Sequence, residues 1–202
     1  MSKRTETKVL QIPKESTEEY WRDRNDINWI DHYGNLDHPH RIQLKELLKE
    51  LDFDSILEVG CGVGANLNGI TKKIYGIDIN AKAIENAKAL LPHGEFKVGM
   101  AESIDYPDKS IDLILTDACL INVPPQKIET AVSELLRVAK KYIVMCEWHF
   151  EKEHFNGHWV YDYKDLFKNY DVKFTKIKDW GGAWEEFGQF IVVEIKDEFK
   201  HL

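Results

Sequence analysis

Cysteine is scarce: Cys61, Cys119 and Cys146 are the three in 202 residues, and no two of them form a Cys-x-x-Cys pair. An odd number lying in or beside apolar segments argues against a disulfide framework and a zinc knuckle, and reads as reduced thiols in a cytoplasmic protein. Long hydrophobic runs are also missing. No stretch has the length of a membrane span, and the opening Met1-Ser2-Lys3-Arg4-Thr5-Glu6 lacks the apolar segment of a signal peptide, so no membrane partner is expected. Nor is there a Lys/Arg-rich tract. With 27 basic against 35 acidic residues the formal net charge is −8, which would repel nucleic acid and favours a small-molecule partner. Composition does not choose between a monomer and a homodimer. Internal repeats and low-complexity tracts are absent too, and the length suits one domain burying a full core.

What is present is organised around Leu57-Glu58-Val59-Gly60-Cys61-Gly62-Val63-Gly64-Ala65-Asn66-Leu67. The apolar run Ser55 to Val59 predicts a strand, and the three alternating glycines let the backbone turn tightly and approach a ligand. A helix is expected from about Ala65, with its free N–H groups facing a carboxylate or phosphate. Gly60, Gly62 and Ala65 equally satisfy the dinucleotide pattern. Glu58 decides against that reading, because its carboxylate under the loop would repel a pyrophosphate and hold an ammonium group.

Glu58-Val59-Gly60-Cys61-Gly62-Val63-Gly64 resembles the first motif of the class I S-adenosylmethionine-dependent methyltransferases, of the type 11/12 kind. The resemblance recurs at three later points and covers about the middle half of the chain. Lys73 to Asp78 reads as a second strand whose terminal Asp78 would take the ribose hydroxyls, with Ile79 against the adenine and a helix from Asn80 to Leu90 following. Gly99-Met100-Ala101-Glu102 through Pro107-Asp108-Lys109-Ser110 to the strand Ile111 to Thr116 is similar to the third and fourth motifs. Met100 stands where the family often has Asp, so adenine contacts fall to Ala101 and Glu102. The resemblance implies S-adenosyl-L-methionine as cofactor, S-adenosyl-L-homocysteine as product, and Glu58, Gly60, Cys61, Gly62, Gly64, Asp78, Ile79, Ala101, Glu102 and Asp117 as the cofactor site. It also implies an α/β doubly wound, Rossmann-like sheet of seven strands in the order 3-2-1-4-5-7-6, the last strand antiparallel, with helices on both faces.

The acceptor side rests on weaker signals. Asn122-Val123-Pro124-Pro125 is not the contiguous Asn-Pro-Pro-aromatic motif of amino methylases; the prolines start a helix from Gln126 to Val138. Asn122 would orient an acceptor. After the strand Tyr142 to Cys146, the segment Glu147-Trp148-His149 should reach the ligand edge, making His149 the first choice of base and Glu147 the second. Tyr20, Trp21, Tyr33, Trp148 and His158 are expected to contact substrate. His149, His154 and His158 do not share one helical face, and no metal is expected. Residues 1–202 read as a single domain: a mobile tail over 1–15, a helical extension or lid over 16–50, and the catalytic sheet over 51–196. Within the lid, Asp37-His38-Pro39-His40 starts a helix whose buried face is marked by Ile42, Leu44, Leu47, Leu48 and Leu51. The order of elements is faintly similar to methylases of pseudaminic acid biosynthesis, which would imply a sugar acceptor. Two alternatives stay open: a protein or RNA methyltransferase, and a non-catalytic S-adenosylmethionine-binding module.

Overall fold

The computed structural model describes residues 17–151, 154–155, 157–179 and 187–196. The 1–15 tail and the aromatic turn Trp180 to Trp184 lie outside the described residues. Three helices come first: α1 (Glu18–Asp23), α2 (Trp29–Tyr33) and α3 (Pro39–Lys49). Each begins where the chain supplies a starter. Thr17 accepts from Tyr20 N, Asn28 accepts from Ile30 N and Asp31 N, and Pro39 occupies the first turn of α3.

The sheet is built from β1 (Ser55–Val59), β2 (Lys73–Asp78), β3 (Glu95–Val98), β4 (Ile111–Asp117), β5 (Ala139–Trp148), β8 (Val172–Asp179) and β9 (Gly188–Ile195), in the order β3-β2-β1-β4-β5-β9-β8. A two-stranded hairpin, β6 (His154–Phe155) and β7 (Trp159–Val160), stands apart from the sheet. Leaving that hairpin out of the numbering gives the expected order, with the last strand, β9, antiparallel to β5. Crossovers run through α4 (Ala81–Leu90) and α5 (Pro125–Val138), and α6 (Tyr163–Leu166) precedes β8.

Period-2 alternation splits the strands into two buried layers. Leu57, Val59, Ile114, Ile143, Met145, Ile191 and Val193 face α5 through Ile128, Ala131, Val132 and Leu135. Ile56, Leu113, Leu115, Val144, Phe190 and Val192 face the other way, onto Leu44, Leu47 and Leu48 of α3 and Ile84 and Ala87 of α4. Each fully buried aliphatic side chain contributes roughly 1.5 to 3 kcal/mol. Because both faces are covered, the central strands β1 and β4 are mostly apolar, and their buried polar residues, Ser55, Glu58, Asp112 and Thr116, stand at or next to the strand ends.

Register places the site. Val59 pairs with Ile77 on one side and Thr116 on the other, so Gly60 falls between Asp78 and Asp117 at the C-terminal edge of three adjacent strands. This is the edge at which open α/β sheets hold their ligands.

Three expectations need correction. The helix from Ala65 is not formed: after β1 the chain runs through consecutive turns, closed by Leu67 N to Gly64 O at 3.0 Å and Ile70 N to Leu67 O at 3.1 Å. The cause is local, since Gly64 and Gly69 take φ of +77° and +82°, outside the right-handed helical region. On α3 the buried set is His40, Leu44, Leu47 and Leu48, while Ile42 is 51% exposed. The inward stripe therefore starts at a histidine, one position pair earlier than the apolar residues suggest. The fifth strand is also longer than Tyr142 to Cys146, so Glu147 and Trp148 end a strand instead of beginning a loop.

Candidate cofactor and acceptor site

Two cavities open along the C-terminal edge of the sheet and share Trp21, Gly60, Asp78 and Ala118. The first is lined by Asp78, Ile79, Met100, Ala101, Glu102, Cys119 and Asn122. The second lies over the glycine turn, with Glu58, Cys61, Gly62, Asn66 and Asp117 on its floor and Trp29, His32, Tyr33, His38 and Arg41 on its walls.

The turn itself is held by Gly60 N and Cys61 N donating to Ile77 O at 2.8 and 2.9 Å. Gly60 has φ +76°, and a Cβ there would stand 2.6 Å from Cys119 Sγ, so only glycine lets the loop and the β4 end approach this closely. Gly62, at φ +52°, would place a Cβ in open space, which leaves its backbone bare to the second cavity. Gly64 closes the turn and lines neither cavity.

Asp78 is fixed by the same turn. Its Oδ2 accepts from Gly62 N and its Oδ1 from Asn80 N, both at 2.8 Å. Burial raises its pKa and these two backbone donors oppose the rise. Each carboxylate oxygen can still accept another hydrogen bond from a ligand hydroxyl. Glu58, 1% exposed, accepts from Asn66 Nδ2 at 2.6 Å through Oε1, and its Oε2 has no hydrogen-bond partner among the described residues. Burial pushes its pKa up to about 8. Such an orphaned buried acceptor under a bare backbone fits an ammonium group, and the donor set therefore fits an amino-acid ligand joined to a ribose.

The first cavity is closed from above by α1. Lys127 donates to Glu102 at 2.7 Å and also binds Glu18, so the N-terminal helix is pinned beside Ala101 and Ile79. Asn80 Nδ2 donates to Trp21 O and Arg24 O, each at 2.8 Å. Trp29, 3% exposed, packs with Val63, Ala65 and Ala83, so this segment is cover and core together. Trp21 lines both cavities and Tyr33 the second; Tyr20 lies outside both, its ring under the Arg24 guanidinium.

The expected acceptor wall is displaced. Asn122 lines the first cavity, but its Nδ2 is spent on Ala118 O at 3.0 Å and its Oδ1 faces His158 Nδ1 at 3.1 Å. Behind it, His158 meets the Trp148 ring edge-on at 5.3 Å, and neither residue lines either of these two cavities. His149 is also outside both, with Nδ1 3.0 Å from Tyr161 O and 3.3 Å from Tyr163 N. Glu147 is fully buried, and its carboxylate accepts from the backbone N–H groups of Cys119, Leu120 and Ile121 at 3.0, 3.1 and 3.3 Å. Burial pushes its pKa to about 7 against these donors. The Glu147 carboxylate is thus turned towards three backbone N–H groups, and neither it nor His149 lines either of the two cavities. Glu147 anchors the turn Leu120–Asn122 that forms the cavity rim.

Sequence reasoning missed the group that does line the second cavity: His38, His40 and Arg41 at the start of α3, and Asn66. The signal was available, since a buried histidine in an amphipathic stripe of leucines occupies a place where an apolar residue is the default. Among the described residues, no three His, Cys, Asp or Glu side chains are grouped to hold a metal.

Residues 57–144 match the methyltransferase domain family. A stretch is 33% identical over 96 residues to norajmaline N-methyltransferase of Rauvolfia serpentina, covering 42% of this chain and 32% of that protein. The chain thus spans about a third of that relative's length. Among solved structures, a SAM-dependent methyltransferase from Aquifex aeolicus superposes with TM-score 0.61 at 21% identity, covering 80% of this chain and 95% of that one. Magnesium protoporphyrin IX methyltransferase from Synechocystis, with bound SAM, does so with TM-score 0.64 at 14% identity over 88% and 90%. The matched region spans the glycine turn, Asp78 and Asp117, so the part of the chain that frames both cavities is the part similar to the methyltransferase domain family.

Proposed function

We propose that this protein transfers the methyl group of S-adenosylmethionine to a small-molecule acceptor that shares the second cavity with the cofactor's amino-acid end. Glu58 and the Gly60–Gly62 backbone would hold the amino-acid end, Asp78 the ribose, and Ile79, Met100, Ala101 and Glu102 the base. When bound, the cofactor supplies an electrophilic methyl on a sulfonium, and the protein's part is to align a nucleophile with it and keep water out.

The observation that carries the reading is the meeting of the two cavities at Gly60, Asp78 and Ala118, with an aromatic cover of Trp21, Trp29 and Tyr33. A covered pocket beside the cofactor site suits a compact acceptor better than a folded macromolecule. One relative, norajmaline N-methyltransferase, is named for a small-molecule acceptor, which supports the same class. The test is transfer of a labelled methyl from the cofactor across a metabolite panel of amines, phenols, carboxylates and sugars, beside protein and RNA fractions. Label found in small molecules is expected; label confined to the protein or RNA fraction would reassign the acceptor.

A further inference from the structure

The second cavity contains an acid–base chain of which the family resemblance names only Asp117, as a cofactor contact, and the reading above names no member. His38 lines the cavity wall, and its Nδ1 is in close contact with His40 Nδ1. His40 Nε2 lies 2.8 Å from Asp117 Oδ2, and Asn66 Nδ2 donates to the same oxygen at 2.8 Å. Asn66 is held in turn by Arg41 Nε, which donates to Asn66 Oδ1 at 3.0 Å. His40 is 8% exposed, and the Asp117 side chain is 7% exposed. Three side chains from two elements therefore form one continuous line, from a buried carboxylate through a buried ring to a half-buried ring at the cavity surface. Maintaining two adjacent imidazoles and a carboxylate where α3 would otherwise bury leucine is costly to stability.

We propose that His38 is the general base for methyl transfer, oriented through His40 by Asp117, and that the acceptor is a neutral N–H or O–H nucleophile. This rests on the methyltransferase reading. With Asp117 as a carboxylate, the neutral arrangement has His40 donate from Nε2 to Asp117 and accept at Nδ1 from His38 Nδ1–H, which leaves the lone pair on His38 Nε2. In the reaction the acceptor's bond to hydrogen breaks and its proton goes to His38 Nε2. The acceptor's electron pair forms the bond to the methyl carbon, the carbon–sulfur pair stays on sulfur, and the positive charge passes from sulfonium to imidazolium. Asp117 stabilises that charge through His40. An acceptor that is already an anion, such as a carboxylate, would have no use for the chain.

Burial lowers the pKa of His38, His40 and Arg41 add to the lowering, and Asp117 opposes it. The lowering favours the neutral ring, the form a base needs. The other titratable groups on this cavity are His32 and Tyr33 of α2, Glu58 of β1, Cys61 of the glycine turn and Asp78 of β2.

Nitrogen NMR of histidine-labelled full-length protein, with S-adenosylhomocysteine bound, reads the arrangement without any acceptor. His38 protonated on Nδ1 only, His40 on Nε2 only, and a downward shift of the His38 titration in Asp117→Asn are expected. His38 carrying its proton on Nε2, or titrating identically in Asp117→Asn, overturns the proposal. Calorimetry with S-adenosylhomocysteine separates the two readings, because failure to bind strikes the methyltransferase assignment and leaves the tautomers as measured. In the labelled-methyl panel, His38→Gln should lower kcat on phenols and amines at least about tenfold with cofactor affinity within twofold; unchanged kcat, or loss confined to cofactor affinity, overturns the base role.

Discussion

Asn80 donates its backbone N–H to Asp78 Oδ1 at 2.8 Å while its own side-chain amide donates to the carbonyls of Trp21 and Arg24. One residue thus joins the carboxylate of the cofactor site to the segment that covers it, and its Oδ1 also caps α4 at Ala83 N. Replacing Asn80 by Ala should cost roughly 1 to 2 kcal/mol through the lost cap. It should also speed hydrogen exchange over residues 17–33 more than over the sheet; exchange that rises uniformly would show no special link to the cover.

Asp78→Ala tests the ribose assignment. Loss of charge-assisted hydrogen bonds should weaken S-adenosylmethionine binding by about 1.5 to 3 kcal/mol in calorimetry. Gly62 N and Asn80 N lose their acceptor as well, so the melting temperature is to be measured beside the affinity. An affinity equal to wild type would remove Asp78 from the site.

Glu58 sets a pH dependence whose sign is fixed. Its pKa in the folded protein is about 8 against 4.5 for an ordinary glutamate, so the folded state holds a proton that the unfolded chain has released. Stability from this group is complete below pH 4.5 and declines as pH rises through 8. Glu58→Gln should therefore melt above wild type at pH 8, with the gap closing at pH 5, in the absence of cofactor. The variant separates Glu58 from His38 and His158, whose lowered values act in the opposite sense. Parallel melting curves across that range would refute the assignment. Wild type should also release protons on binding S-adenosylmethionine at pH 7, seen as a buffer-dependent heat.

Glu147→Gln distinguishes an anchor from a base. The amide places N–H donors against the N–H groups of Cys119, Leu120 and Ile121, leaving one or more unpaired at a cost of about 1 to 3 kcal/mol. A lower melting temperature is expected. An unaltered melt with abolished turnover would restore Glu147 as a catalytic group.

Gly60→Ala should be among the most damaging small substitutions, because the new methyl meets Cys119 Sγ at 2.6 Å in a left-handed backbone. A loss of at least about 2 kcal/mol is expected, read by denaturant unfolding. Gly62→Ala meets nothing in the protein and should cost less stability while still obstructing the cofactor.

The sheet was legible because its signals are local: apolar runs for β1, β4 and β5, glycines in the turn, Asp78 at a strand end. Helix formation after Gly64 was misjudged because Gly69 and the inward-facing Asn66 redirect the chain, and neither shows in an apolar pattern. The acceptor side was harder for a different reason. Glu147 and His149 look reactive in sequence, yet β5 runs on to Trp148 and buries them behind the turn Leu120–Asn122. His38 and His40, read as a helix start, reach the site only through the packing of α3 against the glycine turn, a long-range contact that no spacing rule encodes.

Ala118 lies where the two cavities meet, and it holds φ at +56°, a conformation that costs a residue with a Cβ roughly 1 to 2 kcal/mol. Its carbonyl takes the Asn122 amide and its N–H binds Cys146 O at 3.0 Å. The rim is thus held under tension, clamped at both ends against a backbone that would relax elsewhere. Selection for heat resistance alone would reach glycine at this position early, and would leave a protein that survives higher temperatures with a slacker junction between cofactor and acceptor.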